Sequence, residues 1–343
     1  MPRLISPRAT WAVLRAGDLR ARLRAVREGQ AALRLHVTGA ALRTGLLAAL
    51  AGGPLTAAEL ARRIGAPAAQ PLQAWLRVAE SAGLVRQDGG AWSGTARGRA
   101  LLDDDWLRAT YEAFSGFHTD LYRQLDTQLK GGPSRRDVAE QGELIARLFN
   151  GFEPFVLGEL IRRVTERGPS RVLDVGCGAG VNLATMLAAA PGAQGVGIDT
   201  DADAVALAAQ TLERHGVADR AQVLRADVRD TVRDRPEPVA EPFDLALLAN
   251  VVYYLPPAER VPLLRDVAGL LAPGGVLLVI STAMDASLFS RHFDLLLRAQ
   301  EGDMQLPEPD ALAVQMREAG LTSVQVDRLL PAPLIVAAGT VPG

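Results

Sequence analysis

The chain has 343 residues, 48% of them hydrophobic and 22% charged, which is enough for two folded domains with sizeable cores. A formal net charge of −2 excludes a protein whose overall charge drives it onto nucleic acid or an anionic membrane. The single cysteine, Cys177, excludes an internal disulfide and any zinc site built from cysteines.

The first segment, "WAVLRAGDLRARLRAVREG", carries Leu14, Leu19, Leu23 and Val26 near helical spacing, with arginines between them. It lacks the unbroken apolar run of a secretory signal, and no later segment approaches the ~20 apolar residues of a bilayer span, so the expected location is the cytoplasm. Arginine outnumbers lysine throughout, Lys130 being the lone lysine, a pattern that fits coding bias in a GC-rich genome and carries no functional meaning. "AALRLHVTGAALRTGLLAALAGG" predicts a second helix, ended by Gly52, Gly53 and Pro54. Thr56 and Glu59 in "LTAAEL" form a capping box that opens a short helix to about Ile64. "PLQAWLRVAESAGLV" predicts a helix stopped at Gly83, and "LVRQDGGAWSGT" a hairpin turning at Asp88-Gly89-Gly90.

Three helices and then a hairpin is the order of a winged helix. Such a module either reads DNA with "PLQAWLRVAE" in the major groove or serves as a dimerisation and packing unit. The candidate recognition helix has Arg77 against Glu80, and the wing has Arg86 against Asp88. That balance neutralises too few phosphates, so no nucleic-acid partner is expected. The first forty residues are more basic, but their arginines flank an apolar stripe, which predicts a solvated helix face.

From Asp103 to Arg167 the pattern stays helical and becomes aromatic, with Tyr111, Phe114, Phe117, His118, Tyr122, Phe149, Phe152 and Phe155. In a chain with only 5% aromatics this density predicts partly a packed core and partly the lining of an apolar pocket.

After Ser170 strands and helices alternate, which predicts a Rossmann-like, doubly wound α/β sheet. "RVLDV", "GVGID", "AQVLRAD", "FDLALLAN" and "GVLLVIST" are the first five strands, and "LTSVQVDRLL" with "PLIVAAG" closes the domain. The charged, proline-containing run "RDTVRDRPEPVAEPFD" has no period and predicts a loop. The expected organisation is a helical winged-helix dimerisation domain over 1–102, a helical linker over 103–168 that contributes to the substrate pocket, and a cofactor domain over 169–343.

The first of these strands runs into Asp174-Val-Gly176-Cys-Gly178-Ala-Gly180. Glycines at these positions let the backbone turn tightly and approach a ligand. A dinucleotide loop of this type is spaced GxGxxG and offers a helix N-terminus to a pyrophosphate. Here the spacing is GxGxG, and Asp174 in front of it repels a pyrophosphate but attracts an ammonium group. The ligand that suits it is a nucleoside with a cationic group where NAD carries phosphate, and S-adenosylmethionine has that form. Asp199 ends the second strand at the position where an acid takes a ribose hydroxyl pair. Asp227 ends the third, placed to accept from an adenine amine. Asn250 ends the fourth, at the crevice where ligands of such sheets bind. Each acid alone is equally well an ordinary N-cap or turn former; the set at successive strand ends favours a ligand. Cys177 is expected to be a small buried loop residue, since a reactive thiol needs an electropositive setting.

Through "VLDVGCGAG", "GID", "RADV" and "LAPGGVLLV" the chain resembles the class I S-adenosylmethionine-dependent methyltransferases, over about 170–282. With the winged helix in front it resembles the small-molecule members whose N-terminal domain dimerises and helps close the substrate pocket. The resemblance implies methyl transfer to an O, N or C nucleophile of a small, partly apolar molecule such as a secondary metabolite, and a homodimer. It also implies that Asp174, Gly176, Gly178 and Gly180 hold the methionyl part, Asp199 the ribose and Asp227 the adenine.

One element departs from the pattern. The O-methyltransferases of this architecture carry a general-base histidine in a His-Asp-Trp element, and here Tyr253-Tyr254-Leu255 stands in its place. A phenol with an ordinary pKa near ~10 is a poor base at neutral pH. Either the acceptor needs no base and relies on positioning, or His118 or His292 takes the proton, or the acceptor is a stabilised carbanion. Tyr253 and Tyr254 would then orient the acceptor, or pack over the adenosine. His36 and His215 are expected to be structural, and the histidine spacing predicts no metal site. The alternatives to a methyltransferase are a winged-helix regulator that senses S-adenosylmethionine and an enzyme of the same fold with non-methyl chemistry.

Overall fold

The computed structural model describes residues 6, 8, 11, 12, 15, 17–66 and 69–343. They form two compact units, Met1–Asp126 with Gln141–Leu148, and Thr127–Glu140 with Phe149–Gly343. No helix among the described residues is long and apolar enough to cross a membrane.

From Leu19 on, the first unit contains α1 (Leu19–Arg43), α2 (Leu46–Leu50), β1 (Leu55–Thr56), α3 (Ala57–Arg63) and α4 (Ala69–Ser81). The hairpin β2 (Val85–Asp88) and β3 (Ala91–Gly94), then α5 (Ala96–Asp103) and α6 (Asp105–Ser115), continue it. After these come α7 (Phe117–Leu129), α8 (Asp137–Glu140) and α9 (Gly142–Phe149), shared between the units. Leu14, expected in the first helix, lies outside the described residues.

The two helical segments expected over 11–29 and 31–53 are joined, since α1 runs unbroken through Gly29 from its N-cap Asp18, whose side chain caps the Arg20 and Ala21 amides. A glycine inside a helix costs only about 1 kcal/mol, which a long helix absorbs. The break comes instead at Gly45, whose φ of 72° is left-handed. Further along α1, a Cβ on Gly39 would stand 1.8 Å from Ser115 Oγ, so this glycine admits α6.

The capping box forms as expected: Thr56 N donates to Glu59 Oε2 at 2.8 Å and Glu59 N to Thr56 Oγ1 at 3.3 Å. Gly89 and Gly90, with φ of 54° and 85°, make the two-residue turn of the hairpin. Strand β1 pairs with β3, giving the sheet order β1-β3-β2. Leu46, Leu60, Leu76, Leu84, Trp92 and Leu101 fill the core beneath it.

The second unit contains α10 (Glu153–Arg167), β4 (Arg171–Val175), α11 (Val181–Ala189), β5 (Gln194–Asp199), α12 (Ala202–Arg214) and β6 (Ala221–Arg225). It continues with α13 (Val228–Asp234), α14 (Glu237–Ala240), β7 (Phe243–Ala249), α15 (Pro257–Ala268) and β8 (Leu271–Thr282). It closes with α16 (Leu288–Arg298), α17 (Pro309–Glu318), β9 (Thr322–Leu329) and β10 (Leu334–Thr340). The seven strands lie in the order β6-β5-β4-β7-β8-β10-β9. The first five are parallel, and β10 is antiparallel to both β8 and β9.

Alternate residues of each strand face opposite sides, as pleating requires. Leu173, Val175, Ala246, Leu248, Leu277 and Val279 pack on α13, α15 and α17. Val172, Leu245, Leu247, Leu278 and Ile280 pack on α10, α11 and Leu212 of α12. Chain order reverses between β4 and β7, and this opens a crevice at the carboxyl ends of the strands.

The run expected as a loop, 229–244, contains most of α13 and all of α14. Asp227 caps α13 through the Arg229 amide, and Val228 and Thr231 bury one side of it. Capping and burial outweigh the missing period in so short a helix.

Candidate active site

The loop after β4 is folded over the end of β5, because the Gly176 and Cys177 amides both donate to the Ile198 carbonyl, at 2.8 and 3.1 Å. Its glycines have φ of 71°, 50° and 76° at 176, 178 and 180. A Cβ on Gly176 would meet Val251 Cγ2 at 2.6 Å, and one on Gly180 would meet the Ala208 Cα at 3.0 Å. Those two glycines are demanded by neighbouring protein. Gly178 differs, since a Cβ there would have no atom within 4 Å. Its backbone borders open space, and its amide donates to Asp199 Oδ2 at 2.9 Å.

Asp174, on β4, is fully buried, and neither carboxylate oxygen has a hydrogen-bond partner of normal geometry. Burial, then the charge of Asp199, pushes its pKa up to about 7, against a smaller opposing pull from the backbone of Leu183. A buried acid without donors is costly, and the group it lacks is a cationic donor.

Asp199 is held at the end of β5: besides Gly178, the Asp201 amide donates to its Oδ1 at 3.0 Å. Asp227 lies after β6 and accepts the Arg229 amide at 2.8 Å. Both therefore do the capping and turn work that any such acid can do. Both also line a cavity of about 260 Å³, together with Gly176, Thr200, Arg229 and Leu263. The cavity lies at the ends of β4, β5 and β6, where the sequence placed a nucleoside. Asn250 is not part of this lining. It has a left-handed φ of 56°, its amide donates to the Ile280 carbonyl at 2.7 Å, and its Oδ1 accepts from the Thr282 amide at 3.4 Å, so it ties the end of β7 to β8.

Sequence reasoning missed Val251 and Leu263, and met Leu255 only as the end of the Tyr253-Tyr254-Leu255 element; all three belong to the apolar wall of the cavity. They look like ordinary packing residues, and no spacing singles them out. Val228 and Arg229 were detectable only as the residues that follow Asp227.

Tyr253 and Tyr254 lie on a 3-10 turn, Val252–Tyr254, after β7. Their ring centroids are 4.5 Å apart. Tyr253 is 1% exposed and Tyr254 38%. Burial, and then the neighbouring Tyr254, hold the Tyr253 phenol well above its ordinary range, so it stays protonated. Phe293 of α16 meets Tyr253 edge-on at 5.8 Å, and Phe289, Phe149 and Phe152 extend the same aromatic cluster. His292, next to Phe293, is buried, and burial lowers its pKa below 6.5, so it is neutral at pH 7. His118 belongs to the first unit, buried between Phe114 at 4.5 Å and Phe117 at 4.3 Å.

The methyltransferase-domain family model matches residues 173–277, the stretch that holds the glycine loop and the cavity. The chain is 26% identical to the mitomycin biosynthesis 6-O-methyltransferase of Streptomyces lavendulae, over 88% of each chain. It is likewise 26% identical to the 3-hydroxy-5-methyl-1-naphthoate 3-O-methyltransferase of Streptomyces sahachiroi, over 72% of this chain and 73% of that one. Its fold is that of the mitomycin 7-O-methyltransferase MmcR, with a TM-score of 0.75 at 22% identity, covering 94% of this chain and 98% of that one. Residues 173–277 match a methyltransferase domain, and the chain is an S-adenosylmethionine-dependent methyltransferase.

The methyltransferase takes S-adenosylmethionine as its cofactor, which when bound supplies a methyl group on a sulfonium. The residues present fit that group: Asp174 is a buried carboxylate short of donors, Gly178 leaves room for a ligand, and two further acids line a nucleoside-sized cavity. Cys177 takes no part in covalent chemistry. It is 4% exposed, its thiol pKa is raised by burial and by Asp174, and it packs on Gly197, whose added Cβ would stand 2.9 Å from its sulfur.

Proposed function

We propose that this methyltransferase methylates an oxygen of a small, largely aromatic molecule of secondary metabolism. The observation that carries this is the aromatic cluster of Phe149, Phe152, Phe289 and Phe293, which adjoins Tyr253 at the end of β7. Flat rings bury well against such a surface. The names of the two Streptomyces relatives described above point the same way, each being an O-methyltransferase and one acting on a hydroxynaphthoate.

In this proposal Asp174 receives the methionyl ammonium, with Gly176, Gly178 and Gly180 letting the chain pass close to it. Asp199 holds the ribose and Asp227 the adenine. Asn250 acts by fixing the geometry between the ends of β7 and β8. Tyr253, protonated, donates toward the acceptor oxygen, and Tyr254 supports it. His292 is the candidate base, because a neutral imidazole accepts a proton, and His118 is the second candidate. An acceptor that arrives ionised needs neither, and in-line positioning then does most of the work.

The functional division remains 1–102 for dimerisation, 103–168 for acceptor recognition and 169–343 for the cofactor, in the cytoplasm. A homodimer is supported by Leu23, Val26 and Leu33 of α1, which lie 49%, 58% and 65% exposed. Recurring at helical spacing, they are an apolar stripe that a second copy would cover. A nucleic-acid partner is not proposed, because α4 and the hairpin carry the balanced charges of Arg77, Glu80, Arg86 and Asp88.

The test is incubation of the full chain with methyl-deuterated S-adenosylmethionine and a panel of phenols, naphthols, hydroxynaphthoates, amines and enols, with mass spectrometry of the products. Labelled methyl on an oxygen supports the proposal. Label only on nitrogen or carbon corrects the acceptor atom, and S-adenosylhomocysteine formed without a methylated partner points to non-methyl chemistry. A gel shift of duplex DNA at physiological salt would revive the regulator.

A further inference from the structure

The nucleoside cavity has one charged wall residue that the family pattern leaves unexplained. Arg229 is the second residue of α13 and lines the cavity. Its Nη2 donates to Glu259 Oε2 at 2.7 Å, and Glu259 sits in the first turn of α15. α15 supplies Leu263, and the chain just before it supplies Leu255, to the cavity lining. The ion pair therefore ties α13 to α15, two helices that each supply lining residues, although Glu259 itself is not part of the lining. Both side chains are about half exposed, 48% and 49%, so the pair lies at the mouth and not in the interior.

Helix ends explain why the pair holds there. The α13 N-terminus is already capped by Asp227, so the Arg229 side chain is not drawn into local capping. Glu259 is favoured in the first turn of α15 by the helix dipole. An exposed ion pair contributes only about 0–1 kcal/mol to the fold, so stability alone is a weak reason for the placement. A planar guanidinium held at the mouth of a cavity sized for a purine nucleoside offers a flat cationic face to an aromatic ring.

We propose that Arg229 is a cofactor-binding residue, held over the nucleoside end of the cavity by Glu259, and that the pair clasps the adenosine moiety. The clasp touches the part that S-adenosylmethionine and S-adenosylhomocysteine share. It therefore binds donor and product alike and slows the exchange of both without altering the methyl-transfer step. This inference rests on the adenosine placement under the proposed function, and the experiment separates the two.

The full chain is titrated calorimetrically with S-adenosylhomocysteine and, separately, with adenosine, in the wild type and in Arg229→Met, Arg229→Lys and Glu259→Gln. Arg229→Met is expected to weaken both ligands by one common factor of about five, the size of an exposed cation–π contact. Arg229→Lys keeps the charge but not the plane and recovers part of it, and Glu259→Gln weakens both about twofold. In stopped-flow chase of adenosine, which has no ammonium for Asp174, raising salt from about 0.05 to about 0.5 M speeds wild-type release and leaves Arg229→Met unchanged, because the Arg229–Glu259 pair is what salt screens. Wild-type binding of adenosine with Arg229→Met binding it equally well overturns the clasp. Failure of the wild type to bind adenosine overturns the nucleoside placement itself.

Discussion

Asp199 raises the pKa of Asp174 across the glycine loop, yet the two carboxylates are treated oppositely by their surroundings. Asp199 receives the amides of Gly178 and Asp201. Asp174, on the neighbouring strand, receives none of normal geometry. One acid is finished by the protein and the other is left for a ligand.

Replacing Asp174 by Asn removes the buried charge and keeps the shape. The unliganded protein is expected to gain about 1–3 kcal/mol at pH 8, while affinity for S-adenosylhomocysteine falls about 100-fold, the weight of a lost charged hydrogen bond. Thermal unfolding with and without ligand, together with calorimetry, checks both. An Asn variant that is less stable and binds normally would remove Asp174 from the cofactor site.

The same residue sets a pH dependence. Its folded pKa, about 7, lies above its ordinary 3.8, so the folded state holds a proton that the unfolded chain releases. The contribution is fully present below about pH 4 and is lost as pH rises through about 7. Three units correspond to at most about 4 kcal/mol. Urea midpoints of the unliganded protein are expected to be higher at pH 5 than at pH 8, a difference that Asp174→Asn abolishes. Affinity for S-adenosylhomocysteine runs the other way and strengthens as pH rises, because its ammonium needs the ionised carboxylate.

The loop glycines divide by what surrounds them. Gly180→Ala forces a left-handed φ onto alanine and presses its Cβ to 3.0 Å from the Ala208 backbone, so it should cost about 2 kcal/mol or more of stability. Gly178→Ala has the left-handed strain but open space, costing about 1 kcal/mol, and its main effect is expected on cofactor affinity. Melting curves and titrations of the two variants check this, and the prediction fails if their roles are reversed.

The acceptor end calls for two variants assayed with whichever acceptor the panel returns. Tyr253→Phe is expected to lower kcat about tenfold with cofactor affinity nearly unchanged. Kinetics equal to wild type would reduce Tyr253 to packing. His292→Asn is expected to lower kcat/KM about 100-fold. In the wild type, kcat/KM should fall as pH drops through a pKa below 6.5, because only the neutral imidazole accepts a proton. A flat profile over that range would point to an acceptor that arrives ionised.

The strands after Ser170 and the glycine loop were legible because both rest on local rules, namely period-two burial and positive φ. Asp199 and Asp227 were placed correctly at strand ends, where they line the cavity. Asn250 was read as facing the ligand, but its partners are Ile280 and Thr282 on β8, a pairing across strands that no local spacing records. The apolar wall of Val251, Leu255 and Leu263 was hidden for the same reason. The two N-terminal segments read as separate helices are one, because a helix tolerates an exposed glycine such as Gly29, whereas the true break at Gly45 is marked only by its backbone angle. The segment 229–244 lacked a period because α13 and α14, with 7 and 4 residues, are too short to display one.

Strand β10 comes after every other strand of the second unit in sequence and yet lies between β8 and β9. As the polypeptide leaves the ribosome, β8 therefore waits with an unmatched hydrogen-bonding margin until Leu334–Thr340 emerges and inserts. A chain that lacks Leu334–Thr340 would leave β8 open to pairing with another chain, an aggregation hazard that the insertion of β10 removes.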